Sequence, residues 1–201
     1  MNSTYLYDYT NLFERVLSVG YCLCYCTSAI ERAISYSSFF QKVENDKDTF
    51  APIIVDSLLV KEIFPEYDVN LLTTPIYNQC LWAAEAYLRI QGESQLTFEA
   101  IFLYIPIAKM YGFFPLYHEM DFSHIVQLFF ELYRQKSVLS LLIEKYGYTI
   151  VDISKASSVS YETLYSLKQR RREMKKVNVD TVRTIANILR VRIETLAELK
   201  L

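Results

Sequence analysis

Apolar side chains recur at helical spacing along nearly the whole chain, and no pair of segments alternates as paired strands do. The longest run predicts a helix over residues 11–37, which we place at the centre of a domain because its middle is apolar nearly all round. Shorter patterns predict helices over residues 51–64, 75–92, 97–105 and 125–133, with a stop or kink at Pro106. The remaining segments are predicted to be irregular, and these are residues 1–10, 41–49, 66–74 and 112–115.

A distinct pattern over residues 149–168 predicts two short helices joined by a tight turn. Thr149 and Ser160 can cap them, because a hydroxyl can accept from a backbone N–H left unbonded in the first turn. The predicted apolar positions are Ile150, Ile153 and Ala156 in the first helix and Leu164 and Leu167 in the second, with Val159 extending the stripe. The outer face of the second helix carries Ser160, Tyr161, Glu162, Tyr165, Ser166 and Gln169. Small polar and aromatic side chains of this kind suit base edges in a DNA major groove.

At these residues the sequence resembles the Xre, or lambda-repressor-like, family of helix-turn-helix regulators. The resemblance runs from about residue 137 to 199, through Val159-Ser160, Thr163-Leu164 and the closing run 181–199. It implies five helices in a DNA-reading domain. The family usually has Ala at Ser154, Gly at Ser158, and Glu and Gly at Lys168 and Arg170. The loop over residues 170–176 is also longer than is usual in the family.

The net charge of the chain changes sign near residue 134, close to where this resemblance begins. Residues 134–201 hold 14 Lys and Arg against 7 Asp and Glu, a net charge of +7, whereas residues 1–133 hold 7 against 16, a net charge of −9. A basic end is typical of nucleic-acid binding, and an acidic end should repel nucleic acid. We therefore predict that phosphates are contacted by Thr149, Thr163, Gln169, Arg170, Arg171, Arg172, Lys175 and Lys176. Bases should be contacted by Ser160, Tyr161, Glu162, Tyr165 and Ser166.

The cysteines and histidines give only weak indications of a catalytic or metal-binding site. Cys22, Cys24 and Cys26 alternate on a predicted helix, so they should fan around its axis, and we interpret them as small buried apolar residues with reduced thiols. His118 and His124, with Glu119 and Asp121 nearby, could form a metal or acid–base site, but their spacing is not that of a helical zinc pair. A turn followed by a capped helix explains the same residues. We expect no catalytic residue, no metal and no cofactor.

The sequence thus predicts an all-α protein with two domains, an N-terminal helical bundle over residues 1–134 and a five-helix domain over residues 135–201. We expect a cytoplasmic protein without a membrane span, which binds an operator in double-stranded DNA as a homodimer. Segments 81–87, 96–102 and 115–122 resemble domains of Xre-type antitoxins in toxin–antitoxin operons. That resemblance implies an antitoxin that neutralises a toxin through its N-terminal domain and represses its own operon. Two alternatives stay open, a repressor whose N-terminal domain only dimerises and an N-terminal enzyme with a DNA-targeting tail.

Overall fold

A computed structural model describes residues 3–22, 26–45, 56–65 and 78–198, apart from the side chains of residues 3–8, 21, 22, 56–58 and 175. The chain divides into two compact units, residues 1–127 and 128–200. The helices of the first unit are α1 (Ser3–Cys22), α2 (Thr27–Tyr36), α3 (Ser38–Asn45), α4 (Asp56–Ile63), α5 (Asn78–Ser94), α6 (Phe98–Tyr104), α7 (Ile107–Tyr117) and the start of α8 (Ser123–Gln135). The described residues contain no strand, which confirms the all-α prediction.

The second unit holds the rest of α8 and five further helices. They are α9 (Val138–Tyr146), α10 (Ile150–Ser157), α11 (Tyr161–Lys168), α12 (Val179–Leu189) and α13 (Ile193–Ala197), with a short 3-10 turn at Met174–Lys176 between α11 and α12. These five helices follow the predicted order. Their apolar faces meet in a core of their own, to which Leu142, Leu164, Ile185 and Leu196 contribute fully buried side chains.

The first unit is built on α1, which packs along α5. Phe13 of α1 is fully buried, and its ring lies 4.7 Å from the ring of Phe40, 5.9 Å from that of Tyr87 and 5.4 Å from that of Phe98. Aromatic pairs at these separations add to the free energy gained from burying their large apolar area. The predicted central position of this segment is confirmed.

The apolar run over residues 11–37 is nevertheless not one helix. Helix α1 begins at Ser3 and ends at Cys22, and α2 begins at Thr27 after the extended residue Cys26. A side chain at Gly20 would meet the Ile30 side chain at 2.6 Å, so this glycine lets α2 fold back against α1. The prediction of a continuous helix was wrong because periodicity cannot distinguish one long buried helix from two that pack together. The prediction of an irregular segment over residues 1–10 was also wrong from Ser3 onward, where α1 begins.

The predicted loop at Gly112 and Pro115 is helical, since α7 runs through both residues. A proline inside a helix cannot donate to the carbonyl four residues earlier, which here belongs to Tyr111. The Gln79 side chain replaces this bond, because its amide Nε2 donates to the Tyr111 carbonyl at 3.0 Å. A contact from α5 therefore removes the usual cost of leaving that carbonyl without a donor.

Two buried carboxylates hold the starts of α6 and α7. Glu44 accepts from the backbone N–H of Phe98 at 2.6 Å, and Glu31 accepts from that of Ile107 at 2.7 Å. A negative charge is stabilised at a helix N-terminus by the N–H groups there and by the helix dipole. Thr97 also caps α6 through its side chain, and α6 ends at Tyr104, so the stop predicted at Pro106 is confirmed.

Several predicted boundaries differ from the structure. The charged segment 41–49 is helical as far as Asn45, and α5 ends at Ser94 rather than near Gly92. The predicted starts at residues 51 and 75, the whole 66–74 connector and Cys24 lie outside the described residues. Cys26 is exposed, which contradicts its assignment to the core, whereas Cys80 is buried.

The described helices include none that could cross a membrane by itself. Only α6 and α7 taken together have the length and apolar composition of a span, and they are bent by 66° from one another.

Candidate nucleic-acid interface

Thr149 begins the two-helix motif with a reciprocal cap. Its hydroxyl accepts from the backbone N–H of Asp152 at 3.1 Å, and the Asp152 carboxylate accepts from the Thr149 backbone N–H at 2.8 Å. The Thr149 hydroxyl also donates to that carboxylate at 2.7 Å, which holds the pKa of Asp152 below its usual value. Both ends of the cap are satisfied, so the start of α10 is fixed by residues in its own first turn.

The turn between α10 and α11 accommodates both serines that depart from the family pattern. Ser158 has a φ of 58°, in the left-handed region where glycine is favoured. The Ser154 hydroxyl donates to the Val159 carbonyl at 2.6 Å, so a residue that is usually Ala ties α10 to the end of the turn. Ser154 therefore supports the turn through a hydrogen bond. Ser158 is accommodated at a modest cost in backbone conformational energy.

Helix α11 presents two stacked tyrosines to solvent. Its N-cap, Ser160, accepts from the Thr163 backbone N–H, and its apolar side chains Leu164 and Leu167 are buried as predicted. Tyr161 and Tyr165 are 47% and 37% exposed, and their rings lie nearly parallel with centroids 6.0 Å apart. The pair forms an exposed aromatic surface on the face that the sequence assigned to base contact.

The other assigned residues of α11 differ in how far they reach solvent. Ser160, Glu162 and Gln169 are exposed, whereas Thr163 and Ser166 are half-buried. The Ser160 hydroxyl donates to the Thr163 hydroxyl at 3.0 Å, so these two side chains satisfy one another. Ala156, which was predicted to join the apolar stripe of α10, is exposed instead, because the helix turns this position away from α12 and α11.

Arg170 differs from its neighbours in the basic loop because its side chain turns into the domain. Its guanidinium lies 4.0 Å from the centre of the Tyr133 ring and 3.2 Å from the Glu198 carboxylate. Arg170 also has a φ of 54°, at a position where the family usually has glycine. An L-residue rarely adopts this backbone conformation, and here the Arg170 backbone N–H donates to the Leu167 carbonyl at 3.1 Å. The Tyr133 and Glu198 contacts also engage the guanidinium that we predicted to contact a phosphate.

Arg171 and Arg172 remain directed to solvent. Both are exposed, and the Arg171 guanidinium lies 5.8 Å from the centre of the Tyr165 ring. Their backbone N–H groups both donate to the Ser166 carbonyl, at 2.9 and 3.3 Å, which anchors the loop to α11. Lys176 is exposed and lies 3.6 Å from Glu173, and the side chain of Lys175 lies outside the described residues.

Glu198 is the residue that sequence reasoning missed. One carboxylate oxygen accepts from the backbone N–H of Val138 at 3.0 Å, and the other accepts from the Tyr133 hydroxyl at 2.7 Å and from Arg170. Burial, followed by the hydrogen bond to Glu198, raises the pKa of Tyr133 well above its usual value. This carboxylate joins α8, the start of α9 and the basic loop. Glu198 lies in the closing run of the family pattern, but Tyr133 precedes that pattern by several residues and is 65 positions away from Glu198, so no spacing rule could have paired them.

The histidine segment forms a turn and a helix start, as the simpler interpretation predicted. Asp121 accepts from the backbone N–H of Ser123. Hydrogen bonding to the Ser123 side chain, followed by this backbone bond, holds the pKa of Asp121 below its usual value. The Nδ1 atom of His118 lies 2.8 Å from the Phe114 carbonyl, and that of His124 lies 3.1 Å from the Asp121 carbonyl. Within the described residues, no three His, Cys, Asp or Glu side chains are placed to hold a metal ion together.

Comparison with known families agrees with this geometry. Residues 138–200 match the model of the Cro/C1-type helix-turn-helix DNA-binding domain. The predicted resemblance of the C-terminal third to Xre-like regulators is thereby confirmed, and the match supports a DNA-binding transcriptional regulator. Neither the curated proteins nor the solved structures yield a match to this chain.

Proposed function

We propose that this protein is a transcriptional regulator that reads a DNA operator by placing α11 in the major groove. The observation that carries the proposal is the exposed Tyr161–Tyr165 pair on a helix whose N-terminus is capped and whose opposite face is buried. Aromatic faces and edges suit the thymine methyl group, and the tyrosine hydroxyls can exchange hydrogen bonds with base edges. Ser160, Glu162 and Ser166 complete the set that we assign to bases.

Phosphate contacts flank this helix on both sides. Thr149 lies at the N-terminus of α10, where backbone N–H groups favour an anion. Arg171, Arg172 and Lys176 follow α11 and are exposed, and the basic domain as a whole carries a net charge of +7. We also assign Thr163, Gln169 and Lys175 to phosphates. We assign Arg170 a different role from that of its neighbours, which is to hold the loop in position through Tyr133 and Glu198.

The remainder of the chain, residues 1–134, is assigned to self-association and to a protein partner. It is acidic, with a net charge of −9 over residues 1–133, and residues 1–127 form a compact unit with a core of their own. We propose that the protein is a cytoplasmic, non-enzymatic antitoxin, which neutralises a toxin through this acidic part and represses its own operon through the basic part. The alternative is a repressor whose acidic part only dimerises.

Operator binding is tested by selecting high-affinity duplexes from a random library and by footprinting the DNA upstream of the gene. The proposal expects a two-fold symmetric sequence that is protected at the same positions in both experiments. Tyr161→Ala should relax the choice of bases at positions in each half-site, whereas Arg32→Ala, in the first unit, should leave it unchanged. A selection that returns no common sequence would contradict operator reading by α11.

The antitoxin role has a separate test. The gene encoded next to this one is expressed in cells with and without this protein, and growth is followed. Growth arrest that is relieved by residues 1–134 as well as by the full chain supports the antitoxin. If the neighbouring product is harmless and does not bind this protein, the stand-alone repressor is the better account. His118→Ala and His124→Ala should leave every effect unchanged, because neither residue has a catalytic role in the proposal.

A further inference from the structure

Helix α7 carries an apolar face that is exposed among the described residues of the first unit. Its sequence contains one charged residue, Lys109, yet the buried side chains of the helix are only those of Ile107 and Met110. Leu116 is 67% exposed, and Met120, in the turn that follows, is 50% exposed. These two are the most exposed large apolar side chains among the described residues of the first unit. Burying them would remove a substantial apolar area from water.

The exposed face has a pattern of large and small residues. Ala108, Gly112 and Leu116 are four residues apart, so they form one ridge along the helix, and all three are exposed. A side chain at Gly112 would meet no atom within 4 Å, so packing inside the unit does not require this glycine. Glycine within a helix also destabilises it relative to alanine. A hollow at Gly112 therefore costs stability without serving a contact among the described residues of the first unit.

Opposite charges mark the two ends of the same segment. Near the start of α7, the Lys109 ammonium lies 5.7 Å from the centre of the Phe113 ring, on the side of the helix that faces away from the core. Beyond its end, the Glu119 side chain is 87% exposed. Lys109 and Glu119 lie at equal distances along the chain from Phe114. A two-fold axis on the exposed side of α7, level with residue 114 along the helix, would therefore bring each charge close to its opposite in a second copy.

We propose that α7 is a homodimer contact in which two copies of this helix pack antiparallel through the ridge of Ala108, Gly112 and Leu116, with the two-fold axis level with residue 114 along the helix. In that arrangement Leu116 of each copy enters the hollow at Gly112 of the other, and Met120 lies opposite Ala108. Lys109 of each copy faces Glu119 of the other. Large residues thus meet small ones and cations meet anions, as an isologous interface requires, because each contact occurs twice. The small residues let the two helix backbones approach closely.

This self-complementarity indicates that the partner bound at the exposed face of α7 is a second copy of the chain. A basic protein of different sequence would be attracted to the acidic unit as a whole, but it would have no reason to match Lys109. The dimer rests on the proposed function in one respect, which is that two DNA-reading domains are needed for selective operator binding. The contact itself is a statement about the first unit and can be tested without DNA.

The decisive experiment measures the mass of the full-length protein in solution, without DNA, over a range of concentrations. Wild type should be a dimer. Leu116→Glu should weaken dimerisation by roughly 30-fold or more, because it places a charge at the centre of the interface. Val179→Glu is the matched control, since Val179 is 60% exposed in the second unit and should leave the mass unchanged. Circular dichroism should show the same helix content in all three proteins.

Charge reversal tests the antiparallel arrangement. Lys109→Glu and Glu119→Lys should each weaken self-association by roughly tenfold, because two like-charged pairs then face one another. Mixing the two variants should restore the dimer as a heterodimer with two attractive pairs, and the double variant should restore it within one chain. Gly112→Ala should raise the stability of the monomer and weaken the dimer.

Three results would overturn the proposal. They are a monomeric wild type, a Leu116→Glu variant that stays dimeric, and charge-reversed variants that fail to rescue one another. If the wild-type protein is monomeric, the exposed face of α7 would instead be a candidate binding surface for a protein of different sequence. These outcomes are distinguishable from a failure of the proposed function. If the DNA assignment is correct, monomeric Leu116→Glu should still bind DNA weakly, and replacing Arg171 and Arg172 by alanine should reduce the salt dependence of that binding.

Discussion

The three adjacent arginines after α11 should behave differently, although they appear equivalent in sequence. Each phosphate contact contributes about 0.9 to the slope of log affinity against log salt concentration. Removing Arg171 and Arg172 together should therefore reduce the slope by about 1.8. Between 50 and 200 mM salt, two such contacts change the affinity by about 12-fold, since one changes it by about 3.5-fold. The double variant should lose this dependence on every DNA sequence.

Arg170→Ala should instead act on folding. The variant loses a charge-assisted hydrogen bond to Glu198 at 3.2 Å and a guanidinium contact 4.0 Å from the Tyr133 ring. Because the Arg170–Glu198 pair is partly exposed, we expect the free energy of unfolding of the second unit to fall by about 1–2 kcal/mol. The salt slope of the folded variant should stay near that of wild type.

Fluorescence anisotropy with a labelled operator and a scrambled duplex, at four salt concentrations, measures the slopes. Urea unfolding followed by circular dichroism measures the stability. Arg32→Ala in the acidic unit removes the same charge at an exposed position, and it should change neither the slope nor the stability of the second unit. If Arg170→Ala flattened the slope as much as the double variant without destabilising the protein, the inward position of Arg170 would be refuted.

Four further substitutions or conditions test the motif. Thr149→Ala should lower the free energy of unfolding by about 1 kcal/mol, measured in urea, because the cap of α10 is lost. Ser158→Gly should raise it by up to about 1 kcal/mol, because glycine adopts the positive φ without strain, and an unchanged or lower value would contradict the turn. Tyr161→Ala should reduce discrimination between operator and scrambled duplex while leaving the salt slope unchanged. The Asp152 carboxylate has a lowered pKa, so its contribution is complete above its unfolded pKa and is lost as pH falls through the folded one. Acid titration of Thr149→Ala should show a smaller step, because the hydroxyl is lost whereas the backbone N–H of residue 149 still donates to Asp152.

Sequence reasoning succeeded where structure is set by neighbours along the chain. The caps at Thr149 and Ser160 and the buried faces of Leu164 and Leu167 follow from spacings of three and four residues, so they could be predicted. The match of residues 138–200 to a Cro/C1-type domain agrees with that local pattern. The same reasoning failed at Ala156, because an apolar residue of small size is not required to face the core.

Contacts between residues that are far apart in sequence determined the structure where helical periodicity did not. A glycine and a proline predicted a loop in the middle of α7, but a hydrogen bond from Gln79 to the Tyr111 carbonyl keeps that segment helical. The apolar run over residues 11–37 predicted one helix, and Gly20 instead lets α2 return along α1. In both cases the deciding partner lies on another part of the chain.

The sequence by itself determined that the protein is all-α, that its charge is divided, and that its C-terminal third carries a two-helix DNA-reading motif. These properties depend on composition and on spacing within a few turns of helix. Only the tertiary structure decided that Arg170 turns inward to Tyr133 and Glu198 while Arg171 and Arg172 face solvent. The exposure of Leu116 in α7 is likewise determined only by the tertiary structure. The physical reason is that the role of a side chain depends on what lies opposite it, and that neighbour is brought there by packing.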